Sequence, residues 1–340
     1  MASMRTGETP EAVAAAAAGD EAAFQRLVEP YRRELHAHCY RMLGSVYDAD
    51  DALQDTLLRA WRGLSGFQGR SALRSWLYTI ATNVCLRVIE RRPARVLPID
   101  YGPPSDPHAP LGPPLVESTW IDPYPDTHVD DGLAGPAARY EQREAVELAF
   151  IAALQHLAPR QRAVLILREV LGFSGAEVAA ALQTTPASVY SLLQRAHATL
   201  DDRVPARSQQ ATLNALGDEQ LTDIVNRYVD AWVQADVDAI ADMLTETAAL
   251  AMPPTATWFR GRAVIAAFLR ATALDGTRSW RMRPTTANGQ PAMGAYLRDT
   301  SGVYMPYGLT VLTLDEDRIA EIINFRDLLA PERFGLPRQV

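Results

Sequence analysis

The chain has no lysine: all 33 of its basic side chains are arginine. Contacts to phosphates or guanine edges therefore fall to planar forks, and the bias itself is the mark of a GC-rich genome. There are two cysteines, Cys39 and Cys85, each inside a helical apolar pattern. That excludes a disulfide framework and reads as two small core residues in a reducing compartment. No apolar run approaches the ~18 residues a membrane span needs. The Ala-rich start, Ala12 to Ala18, lies between Glu11 and Asp20 and lacks a basic leader, so a cytoplasmic protein without a signal peptide is expected. No histidine follows His197, which removes imidazole chemistry from the last part of the chain. A net charge of −8 excludes a uniformly basic nucleic-acid binder, so any such face is local. No internal repeat is found, and no metal, cofactor or catalytic group is expected.

With 340 residues at 48% apolar, there is enough material for two or three packed domains. Residues 1–95 carry 13 Arg and 11 acids, residues 139–203 seven of each, and residues 204–340 carry 13 and 16. Between them, residues 96–138 hold seven acids, no Arg and ten of the 23 prolines. This acidic linker contains "TWIDPYPDTHVDD" (119–131), with a Trp and a Tyr that a disordered spacer normally avoids.

The first segment, 10–95, reads as helical throughout. Leu53, Leu57, Ala60, Trp61 and Leu64 recur with helical spacing, which predicts a buried stripe. Asp48 or Asp50 is the expected cap of that helix, and Gly63 and Gly66 help to end it. A second helix is expected from Ala72 to about Arg91, stopped by Pro93. In the segment 139–203, Ser174 with Glu177 forms a capping box. A polar turn at Gln183 and Thr184 leads to Thr185 as N-cap and Pro186 at the first helical position. Two short helices so joined make a helix-turn-helix, whose second member reads the major groove. The last segment, 212–335, predicts helices over 221–234, 237–244 and 258–269, then alternating strands over 279–286, 292–299, 304–314 and 319–326. Helices followed by antiparallel strands mean α+β.

Taken together, "FQRLVEPYRRELHAHCYRMLGSVYDADDALQDTLLRAWRGLSGFQGRSALRSWLYTIATNVCLRVIERR" (24–92) resembles region 2 of the sigma-70 family. "ALQHLAPRQRAVLILREVLGFSGAEVAAALQTTPASVYSLLQRAHATL" (153–200) resembles its region 4. The pair is similar to the extracytoplasmic-function type, which keeps these two domains and a linker. The resemblance implies that core RNA polymerase is a partner, through its β′ clamp helices and β flap, and that promoter DNA is the other. The clamp-docking face would be Asp51, Gln54, Asp55 and Arg59. The loop "FQGRS" (67–71) would capture a flipped base of the −10 element, as a cage for one unstacked base can. Phe67, Gln68, Arg70, Ser71, Arg74, Asn83, Arg87 and Arg91 would follow or read that element, with Arg92 and Arg95 beyond them. At the −35 element, Ser188, Ser191 and Arg195 share one face with helical spacing and suit close major-groove contact, beside Tyr190. Positions 190, 192 and 197 are often basic in the family, whereas this chain has Tyr190, Leu192 and His197, so fewer phosphate contacts are expected.

In the family the linker threads toward the polymerase active centre. "WIDPYPD" resembles a motif of members with a fused C-terminal domain. Trp120, Pro123, Tyr124 and Pro125 are therefore candidate anchors, on polymerase or on the chain's own domains. Residues 212–335 resemble a SnoaL-like domain, a curved sheet wrapped by helices into a cone. Tyr228, Trp232, Trp258, Trp280, Tyr296 and Tyr304 would line its pocket or fill core, and a small-molecule ligand there is one expectation. Two other readings remain open at this point. One is a one-component regulator with a ligand-sensing domain. The other is a pocket enzyme using Asp242 or Asp299. Whether the last domain restrains or supports activity is open as well.

Overall fold

The computed structural model describes residues 10–67, 72–115, 120–128, 141–201, 203–205, 207–326 and 330–340. Contacts divide these residues between two compact units. One draws on Met1–Ala94 and Ile151–Val204, the other on Arg95–Asp130, Ala134–Phe150 and Pro205–Val340. The helices before the linker are α1 (Pro10–Ala17), α2 (Glu21–Val28), α3 (Arg32–Leu43), α4 (Val46–Gly63) and α5 (Leu73–Ile89), with a short α6 (Pro98–Tyr101) inside it. After the linker come α7 (Leu148–Gln155), α8 (Pro159–Leu165), α9 (Gly175–Ala181) and α10 (Pro186–Leu200). The C-terminal part adds α11 (Gln209–Leu216), α12 (Asp218–Val233), α13 (Val237–Met243) and α14 (Arg262–Ala271). Its strands are β1 (Leu244–Ala251), β2 (Trp258–Arg260), β3 (Trp280–Ala287), β4 (Gln290–Arg298), β5 (Tyr304–Asp315) and β6 (Arg318–Arg326).

In the first unit α3, α4 and α5 pack on one another around Leu35, Cys39, Met42, Ala49, Leu77 and Cys85, none of which reaches solvent. Each large apolar side chain so buried contributes about 1.5–3 kcal/mol. The two cysteines are free and buried; burial and the Cys39 thiol beside it push the Cys85 thiol well up. The expected stripe on α4 is displaced. Ala49, Ala52, Thr56 and Ala60 are buried, while Leu53, Leu57 and Trp61 are only half-buried. Small residues let α4 approach its neighbours closely, and Trp61 meets the Phe24 ring edge-on at 5.1 Å. The cap is Ser45, whose hydroxyl accepts from the Asp48 N–H at 3.3 Å; Asp48 instead pairs with Arg92. Helix α5 ends at Ile89, so Arg91 and Arg92 lie beyond it.

The helix-turn-helix forms as its caps dictate. The Ser174 N–H donates to Glu177 at 2.8 Å and the Glu177 N–H to Ser174 Oγ at 3.3 Å. The Ser174 hydroxyl, which donates to the Glu177 carboxylate at 2.7 Å, and then the Ser174 N–H hold that carboxyl below its usual range. Thr185 caps α10 with Pro186 at its first turn, and Gln183 adopts a left-handed φ of 51° in the turn between α9 and α10.

The C-terminal sheet runs β2-β1-β6-β5-β4-β3. It is not wholly antiparallel, because β1 and β6 pair in parallel. Two strands differ from the sequence expectation. Leu244–Ala251 is a strand that the sequence reading did not assign, starting where the 237–244 helix was expected to end, and Trp258–Arg260, expected as a helix start, is a strand that breaks at Gly261, φ 97°, before α14 begins. Register shifts at Ala295/Tyr296 and Thr313/Leu314 are the irregularities that bend a sheet. Its core joins Ile224, Tyr228 and Trp232 of α12, Ile265 and Phe268 of α14, and Leu250, Met293 and Ile322 of the strands.

Candidate nucleic-acid interface and linker anchor

On α4 the exposed residues Tyr47, Asp51, Gln54, Leu58 and Arg62 recur with helical spacing. Asp55 and Arg59 flank this stripe and pair at 2.9 Å. Leu58 is 45% exposed and Tyr47 48%. Two large apolar side chains thus sit among the charges of the expected docking face, an arrangement suited to a desolvated contact with a polar rim.

Phe67 is half-buried and its ring lies 5.0 Å from that of Trp76, giving an aromatic wall where a base could stack. Gln68, Arg70 and Ser71 lie outside the described residues. Arg74 and Asn83 are not open to solvent on every side. Arg74 pairs with Glu34 at 3.3 Å and its guanidinium lies 4.9 Å from the Tyr78 ring and 5.0 Å from that of Phe173. The Tyr78 ring meets Phe173 at 5.4 Å. Asn83 donates to the Thr79 carbonyl at 2.8 Å and to that of Ala181 at 3.5 Å, and Ser75 donates to Glu177. The face of α5 that carries the expected −10 contacts is therefore packed on α9 of the helix-turn-helix. Arg87 and Arg91 are exposed. Arg95 is buried in the second unit and donates to the Trp120 carbonyl at 2.7 Å.

A second contact joins these helices. Arg162 is 2% exposed. It donates to the Met42 carbonyl, to Gln155 Oε1 at 2.6 Å and to the Gln155 carbonyl at 3.0 Å. Gln155 in turn donates to the Arg41 carbonyl at 3.3 Å. Met42 and Arg41 end α3, so its orphan carbonyls are satisfied by side chains from α7 and α8. Burial pushes the Arg162 guanidinium down to about 10. On the recognition helix α10, Tyr190 is 57% exposed, Ser191 and Arg195 are exposed, and Arg195 donates to Ser191 at 3.1 Å. Ser188 is half-buried, and His197 pairs with Glu169 at 2.7 Å.

The linker is built into the second unit. Trp120 is 6% exposed and Tyr124 fully buried, Pro125 is buried and Pro123 half-buried. The Ile121 N–H donates to the Val96 carbonyl at 3.1 Å. The centre of the anchor is Asn288, fully buried. Its Oδ1 accepts from the Tyr124 N–H at 2.7 Å, its N–H donates to the Tyr124 carbonyl at 2.8 Å, and its Nδ2 donates to the Val146 carbonyl at 2.7 Å. Asn288 and Gly289 hold φ of 55° and 68°, the left-handed pair of a tight hairpin turn between β3 and β4. A Cβ at Gly289 would stand 2.9 Å from Gln210 Nε2. Asp126 accepts from the Gly289 N–H at 2.8 Å. Glu147 caps α11, accepting from the N–H groups of Gln209 at 3.0 Å and Gln210 at 2.7 Å.

Against known families, the Sigma-70 region 2 model matches residues 27–94, the Sigma-70 region 4 model residues 141–200, and the SnoaL-like domain model residues 225–322. The ECF RNA polymerase sigma factor SigG of Mycobacterium tuberculosis is 43% identical over 316 residues, 92% of this chain and 84% of that protein. The chain belongs to the extracytoplasmic-function sigma factors. SigM of the same organism is 34% identical over 190 residues, 56% of this chain and 81% of the relative. The crystal structure of the M. tuberculosis extracytoplasmic function sigma factor SigJ shares the fold, with a TM-score of 0.56 at 20% identity over 92% of this chain and 98% of that one.

The sigma factor's region 4 match includes 141–146, yet the contacts of those residues group them with the C-terminal domain. That domain holds a cavity walled by Trp232, Phe268, Trp280 and Tyr307. Of the six expected pocket aromatics, Trp232 and Trp280 line it. Tyr228 packs behind Trp232, with ring centroids 5.9 Å apart. Trp258 donates to the Gly102 carbonyl, Tyr296 to that of Pro337, and Tyr304 pairs with Ser279. No Asp, Glu or His is among the described residues that line the cavity; Asp299 accepts three hydrogen bonds in an exposed turn. Asn288, Glu147 and Arg162 are the residues sequence reasoning missed. Only the Asn-Gly pair carried a signal, that of a hairpin turn.

Proposed function

We propose that the sigma factor docks on the β′ clamp helices of core polymerase through Asp51, Gln54, Asp55 and Arg59, with Leu58 as the apolar centre of that contact. Residues Phe67 to Ser71 capture the flipped −10 base against the Phe67–Trp76 wall, while Arg74, Asn83, Arg87 and Arg91 hold the surrounding strand. Ser188, Tyr190, Ser191 and Arg195 read the −35 element, and region 4 meets the β flap. The observation that carries this reading is the co-occurrence, in family order, of an exposed charged stripe, an aromatic wall and a capped recognition helix. The factor acts inside the cell without catalysing a reaction. Among the described residues no helix is long and apolar enough to cross a membrane, and a cavity lining without a carboxylate or imidazole supports a binding role.

Activity is regulated in cis by the C-terminal domain. The support is the Asn288 clasp, which ties Tyr124 of the linker and Val146 at the start of region 4 to one hairpin. The packing of α5 on α9 and on Phe173 ahead of it supports a closed state that promoter binding must open, since Asn83 meets Ala181 and Arg74 lies against Phe173. Promoter-dependent run-off transcription with core polymerase tests the reading. Transcripts that require both elements are expected, and promoter binding by the sigma factor as a polymerase-free dimer would contradict it.

A further inference from the structure

Linker residues 106–114 form a span pinned at both ends to the C-terminal domain. On one side the Ser105 N–H donates to the Trp258 carbonyl at 2.7 Å, and on the other the Leu115 N–H donates to that of Pro254 at 2.9 Å. The span contains one large aliphatic side chain, Leu111, and Leu111 lines the cavity. With Leu111 in place the cavity measures about 40 Å³, room for a few waters, whereas ligand sites usually enclose roughly 300–1,000 Å³. Leu111, itself 38% exposed, is the linker's one contribution to the lining of this small cavity.

Its walls are mostly aromatic and aliphatic, with two buried donors and one buried acceptor left over. Trp232, 4% exposed, has its Nε1 donor buried without a partner, and so does the Nε of Arg326. Asn324, 7% exposed, has Oδ1 unpartnered. Arg278 stands exposed at the rim. Two guanidiniums and no acid among the described lining residues favour an anion. Buried donors without partners are rare and ask for an explanation.

We propose that Leu111 is a plug, and that the ligand displacing it is a small, mainly apolar monoanion whose acid group meets Arg326 and Trp232 while its body lies against Trp280 and Tyr307. The inference rests on the reading of the C-terminal domain as a regulator in cis and adds its signal. Ligand and Leu111 compete for one space, so ligand binding frees the span that precedes the Trp120–Asp126 anchor. Any condition that lifts the linker strengthens ligand binding by the same factor.

The test is calorimetric titration of the full chain with benzoate, and with benzyl alcohol as its uncharged counterpart. Leu111→Ala, which removes the competitor, is expected to tighten both by roughly tenfold. Arg326→Gln is expected to weaken benzoate by about tenfold or more and leave benzyl alcohol unchanged. Unchanged or weaker binding in Leu111→Ala, equal loss of both probes in Arg326→Gln, or no binding in any variant would each overturn the proposal. Co-elution with core polymerase is read on the same samples, so a failure of the sigma reading shows separately.

Discussion

Asn288 makes the sharpest test of how the linker is held. Replacing it with Ala removes the acceptor for the Tyr124 N–H and the donor to the Val146 carbonyl, both at 2.7 Å and buried. Each buried group left unsatisfied costs about 1–3 kcal/mol, so the loss of two is about 2–6 kcal/mol. Ala must also hold the left-handed φ of 55°, which adds roughly 1 kcal/mol. Asn288→Gly loses the same side-chain bonds without that backbone strain, and Asn288→Asp keeps only the acceptor. The predicted order of stability is therefore wild type, Asp, Gly, Ala. Hydrogen exchange of the peptide spanning residues 120–128 is the assay. A loss of 2 kcal/mol local to the clasp speeds exchange of the Tyr124 amide roughly 30-fold in Asn288→Gly. A folded Asn288→Gly chain whose Tyr124 amide exchanges as slowly as wild type would refute the argument that this side chain holds the linker.

Leu58→Asp places a charge at a residue already 45% exposed, so stability should move by under about 0.5 kcal/mol while polymerase affinity falls by tenfold or more in a pull-down titration. Phe173→Leu keeps an apolar side chain but loses the ring contact to Tyr78 at 5.4 Å, about 1 kcal/mol. Binding of fork-junction promoter DNA by holoenzyme should then strengthen about fivefold, and no change would mean that the Phe173 contact ahead of α9 does not hold α5 closed. His38 is fully buried, and burial, with Arg41 and Arg74 nearby, lowers its pKa from 6.5 to about 3. The folded chain refuses a proton that the unfolded chain accepts, so stability is full above pH 6.5 and falls by about 1.4 kcal/mol per pH unit below it. Urea unfolding between pH 7 and pH 5 should show that slope reduced in His38→Gln, whose amide can still meet Thr82, the partner of His38 at 2.9 Å.

What could be read from the sequence was local. The Ser174–Glu177 box and the Thr185–Pro186 start of α10 are set by neighbours three residues apart, so their chemistry is visible in one line of residues. β3 was visible because apolar and polar side chains alternate at its start, and β4 to β6 as short, mainly apolar runs separated by turn residues. β1 was not, because Ala248 to Ala251 are all buried and do not alternate. β2 was hidden because an aromatic pair followed by an apolar run looks like the start of a helix until Gly261 turns the chain. On α4 the reading placed the large residues inward, whereas the close approach of α3 and α5 selects the alanines. The joints were out of reach for a different reason. Asn288 meets residues 164 and 142 positions away, and Arg162 lies 120 residues from Met42. A buried Arg or Glu cannot be told from a solvated one until the fold supplies its partners. For the same reason the linker's Trp120 and Tyr124 could be named as candidate anchors without saying of what.

The central claim is that this chain hands promoter specificity to core RNA polymerase through the face of α4. Size-exclusion chromatography with core polymerase tests it most directly, comparing wild type with Asp51→Arg/Asp55→Arg and with the chain ended after Arg203. The account predicts that the wild-type or the shortened chain co-elutes and that the charge reversal abolishes the complex. If neither the full nor the shortened chain binds, or if the reversed chain binds as well as wild type, the account is contradicted.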